Sequence, residues 1–232
     1  MEQQKQTSVN IGEVVRDIPT TAIRVITNTT TFFREMPKVG GFIEPMIFAA
    51  GIGLASGVVT AILAIFGLGY AHSFGSAVAY LILMPIFTPL FGFIGALILF
   101  IIWKILGSQE SYETAYRCGA YTSAITPLTT LINVIPYIGG LIGLLWFTYL
   151  IVIASSEVHA IGRKKAWTVF GIIFIIFAIM SLTSEFAARR MASKMEKYQQ
   201  EMGERFKDLS PEEAQKAAQE FLKEMQKQQE QK

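Results

Sequence analysis

The chain reads as an all-α polytopic membrane protein, a bundle of about five transmembrane helices with an amphipathic N-terminal tail and a helical C-terminal tail. Two observations predict this. Hydrophobic residues make up 52% of the 232, against 16% charged. The charges are also segregated: no Asp, Glu, Lys or Arg occurs at positions 45–103, 118–156 or 166–184. Each stretch reaches or exceeds the roughly 18 to 20 apolar residues that cross a hydrocarbon core.

The first stretch is too long for one span and turns at GYAHSFGS (69–76), its most polar and glycine-rich point. A first helix is therefore expected from about Glu44 to Gly69 and a second from about Ser76 to Leu106. Pro45 sits where its missing N–H costs nothing, and Glu44 before it faces the positive end of the helix dipole, the position of a cap. Pro85 and Pro89 each remove a backbone donor, so a kinked or partly unwound second helix is predicted. The second stretch divides at NVIPYIGG (133–140), leaving a third helix near Tyr116 to Ile135 and a fourth near Ile138 to Ser155. A fifth is expected from about Ala166 to Ala188. The predicted domains are an amphipathic cytoplasmic segment at 1–41, the membrane domain at 42–188 and a charged tail at 189–232.

Orientation follows from lysine and arginine in short loops. The turns at 70–76 and 133–140 carry none. Lys104 and Arg117 fall in the second connection, and Arg163, Lys164 and Lys165 in the last, where they are expected to anchor the topology at the headgroups. Arg16, Arg24, Arg34 and Lys38 precede the first span. All lie on one side if the N-terminus is cytoplasmic. Arg189 and Arg190 directly after the fifth span oppose an odd count, although the ten basic and nine acidic residues of 187–232 nearly balance. The first forty residues carry no apolar core of a signal peptide, so an uncleaved chain is expected.

Candidate sites are few. His159 lies in SSEVHAIGRKKAW (155–167) two residues from Glu157, whereas a helical metal pair needs three or four, and His72 is expected at the opposite face. Cys118, the single cysteine, excludes an intramolecular disulfide. No cofactor, metal or catalytic residue is assigned, and a net charge of +2 gives no reason to invoke nucleic acid. Gly53 and Gly57 in the first helix, and Gly92, Gly95 and Ala96 in the second, are small residues that let backbones approach where no hydrophobic effect operates. Ser56, Thr60, Thr88, Thr129 and Asn133 add polar atoms inside spans. A polar groove is best placed on the third helix at Thr122, Ser123, Thr126, Pro127 and Thr130.

In the tails, Ile11, Val14, Val15 and Ile18, continued by Ala22, Ile23 and Ile26, recur at helical spacing, which suits an interfacial helix. Met191, Met195, Tyr198, Met202, Phe206 and Leu209 form a similar stripe, marginal for a coiled coil. Ser210-Pro211-Glu212-Glu213 has the form of a capping box opening another helix, with Ala214, Ala217, Ala218, Phe221, Leu222 and Met225 on one face.

Two stretches resemble the bacterial members of the Yip1 domain family. TFFREMPKVGGFIEPMIFAAGIGLASG (31–57) is similar to the entry into that family's first span, with an aromatic-basic segment and Gly-Gly before a helix opening with proline. SYETAYRCGAYTSAITPLTTLINVIPYIGGLIGLLWFTYLIVIASSEVHAIGRKKAW (111–167) resembles its back half, through Tyr121, Pro127, His159 and Lys165-Ala166. The resemblance spans about 31–183 and implies five spans, a cytoplasmic N-terminus and no catalytic residues. Eukaryotic relatives are linked to Rab-type GTPases, but their Asp-Leu-Tyr-Gly-Pro signature is missing here, so that partner is not carried over. The expected protein is a non-catalytic scaffold of a bacterial inner membrane. Its partners would be the lipid bilayer and, through the C-terminal tail, a second copy or another protein. The alternative is a passive transporter or lipid-handling protein with a groove between the second and third helices.

Overall fold

A computed structural model describes residues 10–68 and 73–206. Among these the chain is helical without strands: α1 (Ile11–Thr27), α2 (Thr29–Glu35), α3 (Ile43–Ile65), α4 (Phe74–Ile105), α5 (Tyr112–Thr122), a 3₁₀ turn (Ser123–Ile125), α6 (Thr126–Ile132), α7 (Ile138–Glu157) and α8 (Arg163–Phe206). Four of them, α3, α4, α7 and α8, are each long and apolar enough to cross a membrane. The predicted third span is the composite of α5, the 3₁₀ turn and α6, so about five spans is consistent with the structure.

The second helix, expected to be kinked or partly unwound, is not unwound, and the break falls in the third span. Despite Pro85 and Pro89, α4 is helical throughout. The interruption lies before Pro127, which has no N–H for the carbonyl of Ser123. That carbonyl is taken instead by the Thr126 N–H, one residue earlier, which tightens the turn to 3₁₀. Thr122 Oγ1 and Ser123 Oγ donate to the carbonyls of Gly119 and Ala120 at 2.7 and 2.6 Å. Backbone loosened at membrane depth is thus bonded by its own hydroxyls. Ser73 caps α4 by a reciprocal pair with Ser76, each side chain accepting the other's N–H. His72 and the rest of 69–72 lie outside the described residues.

Gly53 and Gly57 lie where α3 crosses α4. A Cβ on Gly53 would stand 2.5 Å from the carbonyl oxygen of Met84, and one on Gly57 3.0 Å from that of Tyr80, so backbone meets backbone. Gly92 makes an ordinary contact with Tyr116, but the space around Gly95 is open, so no close approach within the chain accounts for that glycine.

The best-buried side chains gather toward the end of the bundle where α3 begins and α4 ends. Val25, Phe32 and Phe33 of the N-terminal helices join Phe48, Trp103, Tyr121 and the second half of α7 in one cluster. Phe32 meets Tyr121 edge-on with ring centroids 5.1 Å apart, and Phe48 meets the same ring at 5.1 Å. α1 and α2 are therefore packed against the membrane domain.

From Leu182 the described residues belong to a second unit. Within it Glu185 pairs with Arg189 at 2.9 Å, and Met191 and Met195 are exposed. Leu209, the Ser210 helix start and the stripe beyond it, and the side chains of Met202 and Phe206, lie outside the described residues.

Gly53→Val would place a branched side chain against the backbone of α4, which cannot rotate away. We expect a loss of about 1 to 3 kcal/mol, the usual range for overpacking, read as a lowered thermal midpoint in detergent. Gly95→Val should leave the midpoint unchanged.

Candidate functional site

The chemistry of this chain concentrates where α3 begins, α4 ends and α5 begins. Residues 36–42 cross that end as a strap between α2 and α3, held mainly through its backbone. The Lys38 carbonyl accepts from Thr114 Oγ1 at 3.0 Å, the Gly41 carbonyl from Arg117 Nη2 at 3.1 Å, and the Gly41 N–H donates to Glu113 Oε1 at 2.7 Å. Gly40 and Gly41 have φ of +134° and +82°, backbone conformations that favour glycine. At Gly40 a Cβ would also stand 2.8 Å from Arg117 Nη2. Gly40 thus admits the guanidinium.

Arg117 is the center of this arrangement. Its side chain is 1% exposed, and Nη1 lies 3.2 Å from Glu44 Oε2. Nε lies 3.5 Å from Glu113 Oε1, close enough for an ion pair but without hydrogen-bond geometry. A buried guanidinium needs this surrounding, because desolvating an unpaired cation costs several kcal/mol. Two expectations are corrected here. Arg117 is an interior residue of α5 and not a loop cation, and Glu44, in the first turn of α3, also holds a cation besides facing the helix dipole.

A second group of buried polar side chains lies at the same end. The Trp103 indole N–H donates to Ser155 Oγ at 2.7 Å, and Ser155 Oγ donates to the Ile151 carbonyl. His159 stacks on Trp103 with centroids 3.8 Å apart. Its Nδ1 is 2.8 Å from Ser108 Oγ, and its Nε2 is 3.8 Å from Cys118 Sγ. Ala160, at φ +54°, turns the chain after α7, and the Ile161 N–H donates back to the Ser155 carbonyl at 3.0 Å. Glu157 does not join His159; it takes Arg34 at 2.9 Å and Arg163 at 3.3 Å. Lys38 bridges the strap to Glu110 at 2.7 Å and to the Val158 carbonyl at 3.1 Å.

Burial lowers the pKa of His159 to about 3, and the positive charges of Lys38 and Lys104 add to the effect. The ring is therefore neutral at neutral pH, with Ser108 and Cys118 at its two nitrogens.

The residues singled out from the sequence are placed apart. Lys165 Nζ donates to the Leu106 carbonyl at 2.9 Å, tying the start of α8 to the end of α4; Lys164 is exposed beside it. Thr122 and Ser123 bond to their own helix, as does Thr130 to the carbonyl of Thr126 at 2.8 Å. Pro127 opens α6. An apolar groove of about 310 Å³ lies instead along α4, lined by Tyr80, Leu83, Met84, Phe87, Thr88 and Phe91.

The Yip1 domain family model matches residues 23–184, from the second half of α1 to just past the apolar part of α8. The chain belongs to the Yip1 domain family. No curated relative and no solved structure matches it. The Yip1 domain begins upstream of the stretch whose sequence carries the resemblance, and so includes α2, the strap and both polar groups. Reasoning from sequence missed the Arg117 and Trp103–His159 groups. The Glu113–Arg117 spacing of four on one helix was a readable signal for the first; nothing local pointed to the second.

A histidine held neutral in the folded state and free to protonate when unfolded stabilises fully above its unfolded pKa of about 6.5. That stability is lost progressively as pH falls from there toward about 3. The wild type should therefore lose stability over this window relative to His159→Phe, measured as unfolding midpoints of both proteins across the pH range. Parallel curves would show that His159 does not titrate with unfolding.

Proposed function

We propose that this protein is a non-catalytic organising protein of a bacterial cytoplasmic membrane, with its N-terminus in the cytoplasm, holding membrane or protein assemblies through helix packing and its tails. One observation supports the reading above others: the ionisable groups around the strap are engaged with each other and with backbone. Arg117 with Glu44 and Glu113, Lys38 with Glu110, and Arg34 and Arg163 with Glu157 form a framework suited to holding a shape. Orientation is supported by the gathering of Arg34, Lys38, Lys104, Arg163 and Lys165 at this end, where a cytoplasmic surface carries its positive charge. The tail, with Met191 and Met195 exposed, is the candidate arm for a second copy or another protein.

A second reading, passive transport or lipid handling, is favored by the groove along α4, whose apolar lining suits an acyl chain. It lies on the second span alone rather than between the second and third.

Cutting the chain after Ala192 tests the first reading. The membrane domain should remain inserted and folded, while any assembly larger than one chain, seen by cross-linking in native membranes, should be lost. Unchanged assemblies, together with lipid transfer between vesicles that stops on Leu83→Trp, would favor the second reading.

A further inference from the structure

We propose that α1 lies within one leaflet of the bilayer as a wedge, with Ile11, Val15 and Ile23 in contact with acyl chains. At 3.6 residues per turn α1 has three sides. Val14, Ile18, Thr21 and Val25 lie toward the bundle and are partly or fully buried. Glu13, Arg16, Asp17, Thr20 and Arg24 form a polar side, with Arg16 at its edge next to Ile23. Between them lie Ile11, Val15 and Ile23, exposed by 59%, 51% and 60%, while Ala22 and Ile26 on the same arc pack against the core.

The packed side fixes the depth. Ile18 Cδ1 occupies the space against Gly51, 2.5 Å from where a Cβ would stand. Gly51 is about 12 Å along α3 from Ile43, at 1.5 Å per residue. In a hydrocarbon core about 30 Å thick, that is the level of acyl chains. Phe32 of α2 meets Tyr121 at a comparable level, about 14 Å along α5 from Tyr112. The upper end of α2 lies at the strap, and its last residue Glu35 takes Arg24 of α1 at 3.0 Å. The polar side of α1 therefore turns toward the strap end, and the exposed apolar arc turns away from it, toward the middle of the bilayer. The occupant of that arc is hydrocarbon, continuous with the lipid-facing side of α3, where Leu54, Val58 and Ile62 are exposed. α1 and α2 thus add cross-section to this leaflet.

The test uses the full chain in lipid nanodiscs, both faces open to solvent. Single cysteines replace Val15, Ile23, Glu13 and Thr20 in turn and carry a small fluorophore. Buried Cys118 is replaced by serine in one series and alanine in another, so that a folding fault in one background does not decide the outcome. Quenching by lipids bearing a nitroxide on the acyl chain is compared with quenching by aqueous iodide. Labels at 15 and 23 should be quenched several-fold more by the lipid nitroxide than labels at 13 and 20, and iodide should give the reverse order. Iodide quenching at 15 and 23 equal to that at 13 would overturn the proposal by showing an aqueous face. Protection of 15 and 23 from both quenchers would overturn it by showing a covering protein.

Discussion

A buried guanidinium must be surrounded by its counter-charges, and in this protein that requirement ties together segments far apart in sequence. Arg117 sits inside α5, Glu44 at the start of α3, and Gly41 on the strap that connects α2 to α3. The strap can pass close to α5 only because Gly40 and Gly41 adopt positive φ, and its backbone polar groups are satisfied only because Glu113, Thr114 and Arg117 face it from one helix. Replacing such an ion pair with apolar residues is often neutral for stability, whereas breaking one partner away costs about 3 to 5 kcal/mol. The value of the arrangement lies in specificity: it fixes where the N-terminal helices enter the membrane domain.

That fixed entry explains the distribution of the core. Helices in a bilayer gain little from hiding apolar side chains, and associate through close packing and internal hydrogen bonds. The α3–α4 crossing uses glycines for the first. The end near the strap uses the second, with Trp103 bonded to Ser155 and His159 stacked beneath it. With α1 and α2 inserted as well, Phe32 and Phe33 pack against this end, and it becomes the best-buried part of the molecule.

Much of the architecture is legible in the sequence because charge-free length is a property of single segments. The apolar runs locate α3, α4 and α7 within a few residues of their observed ends and α8 at its start, but α8 runs past the end expected near Ala188 to Phe206. Contacts between segments are less readable. Pro85 and Pro89 suggested a kinked or partly unwound α4, but a long helix tolerates a missing donor without unwinding, whereas Pro127 coincides with hydroxyls able to bond the loosened carbonyls. The amphipathic pattern of α1 was visible, yet periodicity cannot distinguish a helix lying on a membrane from one packed partly against α3. His159 does lie in the loop between α7 and α8, but its burial was not readable because its partners Trp103, Ser108 and Cys118 are more than forty residues away.

Amide hydrogen exchange of the strap in lipid nanodiscs tests the organising role of Arg117 most directly. The Gly41 N–H, bonded to Glu113, and its neighbors in 36–42 should be protected nearly as well as α5 in the wild type. In Arg117→Ala that protection should fall by orders of magnitude while α3 and α4 remain protected. Rapid exchange of the strap in the wild type, or an unchanged strap in the variant, would contradict the account.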